Sequence, residues 1–271
     1  MIEAPARVVT SRDGTPIALF RAGDGPSLVL VHGAAADHTT WRVTGPLLAR
    51  THTVWAVDRR GRGASGDAGD YAVGREFEDV AVVADALASE SGAPVPLVGH
   101  SFGGRMALGA ALRSSGIAAV VCYEGAPAPP GEPYERPDLV ARLEELQAAG
   151  RHEDLLLTFL AEVVAMPPDD LAAYRANPVW PARVAAAPTI LREIRAANDP
   201  AAGLDALGGV GVPVLQVLGG DSVPVFHRAT AALDARLPNG RVLVIDGARH
   251  AAHHTHAAEL VAAVEGFLAR L

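Results

Sequence analysis

Lysine is absent from this 271-residue chain: all 23 basic residues are arginine. A P-loop and a lysine Schiff base are thereby excluded, because each needs the primary amine. Cysteine occurs once, at Cys122, so no internal disulfide can form. That thiol lies in an apolar run and reads as a buried strand residue, since a nucleophilic cysteine needs a base and access. Basic charge is in deficit, with 31 acidic residues against 23 and a net charge of -8. This balance argues against nucleic acid and anionic membrane surfaces as partners. No apolar run approaches membrane-spanning length, and the opening M-I-E-A-P-A-R lacks an apolar targeting core. A soluble cytoplasmic protein is expected.

Hydrophobic residues make up 49% of the chain and charged residues 20%, enough for a sizeable core. The length fits one large domain, or a core carrying an insertion. Residues 7–10 and 17–22 flank R-D-G-T-P and read as an antiparallel hairpin. Continuous apolar strands follow at 28–31, 53–57, 95–98 and 118–123, of the kind buried on both faces of a parallel sheet. Helical patterns at 41–50 and 74–91 alternate with them, which implies a mostly parallel sheet covered on both faces. The rhythm breaks at Gly125. From 138 to 198 no strand pattern appears, and helices are expected at 139–149, 153–164, 169–176 and 182–197 between prolines. Strands at 214–218 and 242–245, with helices at 225–236 and 257–268, then resume the alternation. The expected organisation is a core domain, 1–130 and 209–271, with a helical cap inserted at 131–208. An ordinary crossover would be far shorter.

Residues 95–106 read V-P-L-V-G-H-S-F-G-G-R-M: a short strand, an abrupt turn, then strong helix formers. G-x-S-x-G at such a corner is the nucleophile-elbow pattern. Ser101 must occupy a strained turn, and Gly99 and Gly103 remove the side chains that would collide around it. A serine hydroxyl needs a base, and the base needs an orienting group. His250 follows the strand at 242–245, and Asp221 follows the strand at 214–218. All three lie past carboxyl ends of strands, where an open α/β sheet places its sites, in the chain order Ser, Asp, His.

On these residues the chain resembles the α/β-hydrolase fold family, in its cap-bearing branch. The resemblance rests on His32-Gly33, the stretch D-R-R-G-R-G-A-S at 58–65, the elbow, Gly219-Gly220-Asp221 and the segment ending in His250. It implies Ser101 as nucleophile, His250 as general base and then acid, and Asp221 as the group orienting His250. It further implies an oxyanion hole made by the N–H groups of Ala34 and Phe102. H-G-A-A replaces the lipase-type H-G-G-G, which argues against bulky lipid esters. A serine nucleophile, not an aspartate, argues against epoxide hydrolase and haloalkane dehalogenase chemistry.

Other readings compete at several places. G-R-G-A-S-G at 61–66 matches a dinucleotide fingerprint, but no helix opens inside it, and it reads as a loop. The arginines at 59, 60 and 62 read as a solvated loop. His250, His253, His254 and His256 lack a carboxylate or cysteine set for a metal and read as solvated histidines at a helix start. Glu124 competes with Asp221; a structural hydrogen bond ranks first for it, substrate contact second and the orienting role last. Candidates for lining a substrate pocket are His32, Asp37, Trp41, Glu124, Phe159, Met166, Trp180 and Val223. The expected function is serine hydrolysis of an ester, or a related acyl or activated C–C bond, in a small or medium apolar substrate, without cofactor or metal. The alternatives are lyase, isomerase or cofactor-free oxidative chemistry in the same pocket, or a non-catalytic small-molecule-binding protein. Oligomeric state and substrate identity are not encoded legibly.

Overall fold

A computed structural model describes residues 4–271. Met1–Glu3, part of the opening stretch read above for a targeting core, lie outside the described residues. The chain runs β1 (Arg7–Thr10), β2 (Pro16–Ala22), β3 (Ser27–Val31), α1 (Thr44–Leu48), β4 (Thr53–Val57), α2 (Val73–Ser91), β5 (Val95–His100), α3 (Phe102–Ala111) and β6 (Ile117–Tyr123). Six helices follow: α4 (Pro137–Ala148), α5 (His152–Glu162), α6 (Pro168–Arg175), α7 (Trp180–Ala186), α8 (Thr189–Ala197) and α9 (Leu204–Leu207). The chain closes with β7 (Val214–Gly219), α10 (Pro224–Asp234), β8 (Gly240–Ile245), α11 (Ala252–Thr255) and α12 (Ala257–Leu268).

The eight strands form one sheet in the order β1-β2-β4-β3-β5-β6-β7-β8. The first two strands pair antiparallel, β2 meets β4 antiparallel, and all remaining pairs are parallel. Strand β3 is followed outward by β4 on one side, whereas β5 leads to β6 on the other. The loops leaving β3 and β5 therefore diverge and open a crevice at the strands' carboxyl ends.

Apolar strand residues point both ways because both faces are covered. On one face α2 and α3 pack Phe77, Val80, Val83, Met106 and Leu108 against Val29, Val31 and Leu97. On the other, Trp41, Leu260, Val264 and Phe267 pack against Leu28, Leu30, Val121 and Val217. A third cluster belongs to the helices between β6 and β7, including Leu143, Leu155, Phe159, Trp180 and Ile190, and it reaches Ala35 of the sheet loop. Among the described residues, no helix is long and apolar enough to cross a membrane.

Three expectations change. The helix expected over 41–50 resolves into a 3-10 turn, His38–Trp41, followed by the short α1; Asp37 starts the turn early by accepting from the Thr39 N–H at 2.9 Å. The single helix expected over 182–197 is two, α7 and α8, parted at Pro188, which has no N–H to donate and crowds the preceding turn.

The third change concerns the arginines at 59, 60 and 62, which are not solvated. Arg59 is 1% exposed, Arg60 0% and Arg62 2%. Arg59 pairs with Glu76 of α2 at 2.7 Å and Glu193 of α8 at 2.8 Å, while Arg62 reaches the same two carboxylates at 3.0 and 2.5 Å. Arg60 pairs with Asp79 and Asp13. Burial alone would raise the Glu76 pKa, but the Arg59 and Arg62 charges more than offset it and hold the carboxyl well below its usual range. This network ties the loop after β4 to α2 and to the helical segment. A second polar tie, Arg183 of α7 to Asp37 at 2.7 Å, joins that segment to the loop after β3.

Candidate active site

Ser101 stands between β5 and α3 with φ +54° and ψ −130°, a conformation that an L residue adopts only when its surroundings impose it. The imposing surroundings are the close crossing of strand and helix. A Cβ on Gly99 would lie 2.5 Å from the Gly103 carbonyl oxygen, and one on Gly103 would lie 2.2 Å from that of His32. Neither site admits a side chain, so the turn can be this tight. Among the described residues, neither the Phe102 N–H, opening α3, nor the Ala34 N–H, in the loop after β3, donates to a protein acceptor. Both residues line a cavity with Ser101.

His250 follows β8, and its Nδ1 lies 2.6 Å from Glu124 Oε2. Glu124 directly follows β6, is 3% exposed and has φ +45°. Its other oxygen accepts from the Gly219 N–H at 2.8 Å and the Ser222 hydroxyl at 2.5 Å. A carboxylate held at both oxygens has one orientation, and it passes that orientation to the imidazole. The loop carrying His250 is itself anchored. His100 Nε2 donates to the His250 carbonyl at 2.8 Å, and the Tyr123 hydroxyl donates to the Arg249 carbonyl while accepting from the Ala252 N–H at 2.8 Å.

The expectation for Asp221 is corrected by this geometry. Its backbone N–H donates to the Ala248 carbonyl at 2.9 Å, but its side chain is exposed and takes no hydrogen-bond partner among the described residues. The turn after β7 sends the Ser222 hydroxyl to Glu124 and leaves Asp221 on the wall of the large cavity without a partner for its side chain. The third role expected for Glu124 is the one its position matches.

Two cavities meet at Ser101 and His250. The smaller, about 70 Å³, has walls from Ala34, Phe102, Arg105, Tyr134, Phe159, Ile190, Ile194 and Phe226. The larger, about 490 Å³, extends past Thr40, Arg42, His100, Met166, Tyr174, His253 and His254. Of the residues expected to line a pocket, Glu124, Phe159 and Met166 do so, and Val223 lines a neighbouring recess with Ser222 and His250. Four do not. His32 is fully buried, its Nδ1 at the Gly33 carbonyl and its Nε2 accepting from the Arg59 N–H. Asp37 is taken up by Arg183 and the 3-10 turn. Trp41 packs beneath His253, and Trp180 lies inside the helical cluster with its Nε1 donating to Glu153.

The histidines after β8 also differ from expectation, since His253 is 4% exposed. Burial, reinforced by His100, His254, His250 and Arg42, pushes its pKa well below the usual value. His254 falls to about 3 through burial and the charges of Arg42 and Arg183. His100 is lowered in the same way by burial and by His250. His100, His253 and His254, all lining the large cavity, therefore favour the neutral imidazole. Cys122 lies inside the sheet, 1% exposed, with burial pushing its thiol up to about 12. Such a thiol stays protonated and inert. Arg105, Tyr134 and Phe226 line the cavity and were missed by the sequence reading: Arg105 and Phe226 sit on α3 and α10, whose patterns read only as core, and Tyr134 lies in the proline-rich loop before α4.

The family model described as the alpha/beta hydrolase family matches residues 28–264. The pimeloyl-[acyl-carrier protein] methyl ester esterase of Neisseria meningitidis is 30% identical over 244 residues, which cover 88% of this chain and 91% of that protein. An uncharacterised Mycobacterium tuberculosis protein, Rv2715, is 30% identical over 162 residues, covering 59% of this chain; the match spans only 40% of that protein's length. Among solved structures, an alpha/beta hydrolase from Sphaerobacter thermophilus superposes with a TM-score of 0.79 at 34% identity, covering 95% of this chain and 100% of that one.

Proposed function

The chain belongs to the alpha/beta hydrolase family, and from that premise we propose that it is a serine hydrolase of esters or related acyl compounds of small or medium size. The observation that carries the reading is the buried Glu124–His250 pair at 2.6 Å, set beside a serine at a positive-φ corner on shared cavities. The 30% identity to a methyl ester esterase supports hydrolysis over the lyase, oxidative and binding-only alternatives.

In this mechanism Ser101 Oγ attacks the substrate carbonyl while His250 Nε2 takes its proton. The imidazolium that forms is stabilised by Glu124, which accepts from Nδ1–H and excludes the wrong tautomer. The N–H groups of Ala34 and Phe102, free of protein acceptors, hold the tetrahedral oxyanion; losing one such donor typically costs about 10²–10³ in rate. His250 then returns the proton to the departing alcohol, leaving an acyl group on Ser101. Water, deprotonated by the same imidazole, releases the acid. The helical segment over 131–208 acts as the cap, since α5 and α8 supply Phe159, Ile190 and Ile194 to the smaller cavity.

A fluorophosphonate probe tests the acyl-enzyme route. It should label the wild-type protein and not the Ser101→Ala variant, and that variant should lose at least about 10⁴ in kcat on an activated ester. Retention of most activity by Ser101→Ala would overturn the proposal.

A further inference from the structure

Among the described residues five arginines are buried, and four of them face carboxylates: Arg59, Arg60, Arg62 and Arg183. Arg105 is the exception. It is 6% exposed, yet no carboxylate among the described residues lies within ion-pair distance of it. Nη2 donates to the Ala126 carbonyl at 3.3 Å, and Nε is buried without any partner. The guanidinium also lies 5.8 Å from the Phe102 ring. A buried charge normally persists only when something pairs with it, because desolvation otherwise outweighs what packing returns. Arg105 stands one helical turn after Ser101 on α3, and it lines the same small cavity as Ser101, His250, Ala34 and Phe102.

Resting on the serine-hydrolase reading above, we propose that Arg105 pairs with an anionic group of the substrate's acyl chain, making half-esters of short dicarboxylic acids the preferred substrate class. Size sets the chain length. A cavity of about 70 Å³ suits a short acyl chain ending in a carboxylate rather than a long one. The alcohol then departs through the cavity of about 490 Å³. The apolar walls, Phe159, Ile190, Ile194 and Phe226, flank the methylenes and strengthen the ion pair by excluding water. Besides Glu124, which is engaged with His250, two carboxylates line the cavity. Glu193 is engaged by Arg59 and Arg62, and Glu135 stands beyond ion-pair reach of Arg105. Burial raises the Glu135 pKa while Arg105 opposes the rise, so a substrate carboxylate competes with a poorly solvated neighbour for the same guanidinium.

The test compares monoethyl succinate with ethyl 4-methylpentanoate, which replaces the carboxylate with an isopropyl group of the same shape. The wild-type protein should favour the charged ester by about 10- to 100-fold in kcat/KM, the size of a charge-assisted hydrogen-bonded pair. Arg105→Met should abolish or invert that ratio, Arg105→Lys should keep part of it, and Glu135→Gln should raise it. Equal or greater turnover of the neutral ester by wild-type protein overturns the proposal whether or not the variants fold. If neither ester is hydrolysed and the fluorophosphonate does not label Ser101, the hydrolase reading has failed, and calorimetry of the wild-type protein with succinate and with 4-methylpentanoate then decides the subsite alone. Selective succinate binding supports it, and no preference overturns it.

Discussion

Glu124 combines at one position a contact to His250 and a structural hydrogen bond to the turn after β7. Its Oε2 meets His250 at 2.6 Å, and its Oε1 is held by the Gly219 N–H and the Ser222 hydroxyl. Glu124→Gln keeps the shape and removes the anion. The amide no longer stabilises the imidazolium, and its NH₂ group favours the wrong imidazole tautomer. A loss approaching about 10⁴ in kcat is the measure, as for the corresponding Asp-to-Asn change in a serine protease. Asp221→Asn should leave kcat close to wild type, because that side chain is exposed and unpartnered. Steady-state kinetics at a pH well above the histidine pKa make the comparison; greater damage from Asp221→Asn would return the orienting role to Asp221. The corner at Ser101 and the place of His250 past a strand end were legible, because a tight strand-to-helix crossing demands glycines at fixed offsets and the apolar runs mark where strands end. The choice between Glu124 and Asp221 was not legible. Both follow strand ends, and what separates them is which way a four-residue turn sends its side chains.

The loop after β4 shows the same limit at the level of elements. Its arginines read as solvated because the carboxylates that pair with them are distant in sequence: Glu76 on α2 and Glu193 on α8. The sheet was legible throughout, since continuous apolar runs alternating with amphipathic helices admit few other packings. Charge burial was not, because it depends on three elements meeting at one place. Glu193 is 2% exposed and bridges Arg59 and Arg62 across to the helical segment. Glu193→Gln leaves two buried guanidinium groups sharing Glu76 alone. Breaking a buried pair from one side costs about 3–5 kcal/mol. Chemical denaturation should show a loss of that size, whereas a change within about 0.5 kcal/mol, as for surface substitutions, would mean the bridge contributes little.

For the whole molecule, the buried histidines set the response to acid. His32 is held neutral, with burial and the Arg59 and Arg62 charges lowering it to about 3. A proton on Nε2 would also break its bond to the Arg59 N–H. His100 and His253 are lowered well below the usual value, chiefly by burial. Unfolding exposes all three and restores a pKa of about 6.5. Below that pH the unfolded chain binds protons that the folded chain refuses, so stability is full above about pH 6.5 and falls as the pH drops toward the folded values. Each group contributes a slope of up to about 1.4 kcal/mol per pH unit, so three together give up to about 4. The carboxylates act lower on the scale. Asp37 is held at about 2, because the Arg183 charge and its hydrogen bonds outweigh burial; its contribution is present above the ordinary carboxylate pKa and is lost as the pH falls through about 2. Thermal unfolding followed from pH 7.5 to pH 5 should therefore show Tm dropping once the pH falls below about 6.5. Calorimetry in buffers of different ionisation enthalpy should register the uptake of up to about four protons on unfolding near pH 5, because His254 is lowered to about 3 as well. A Tm that stays flat across this range would show that these imidazoles are protonated in the folded protein, which would require a different hydrogen-bond pattern around His32 and His100.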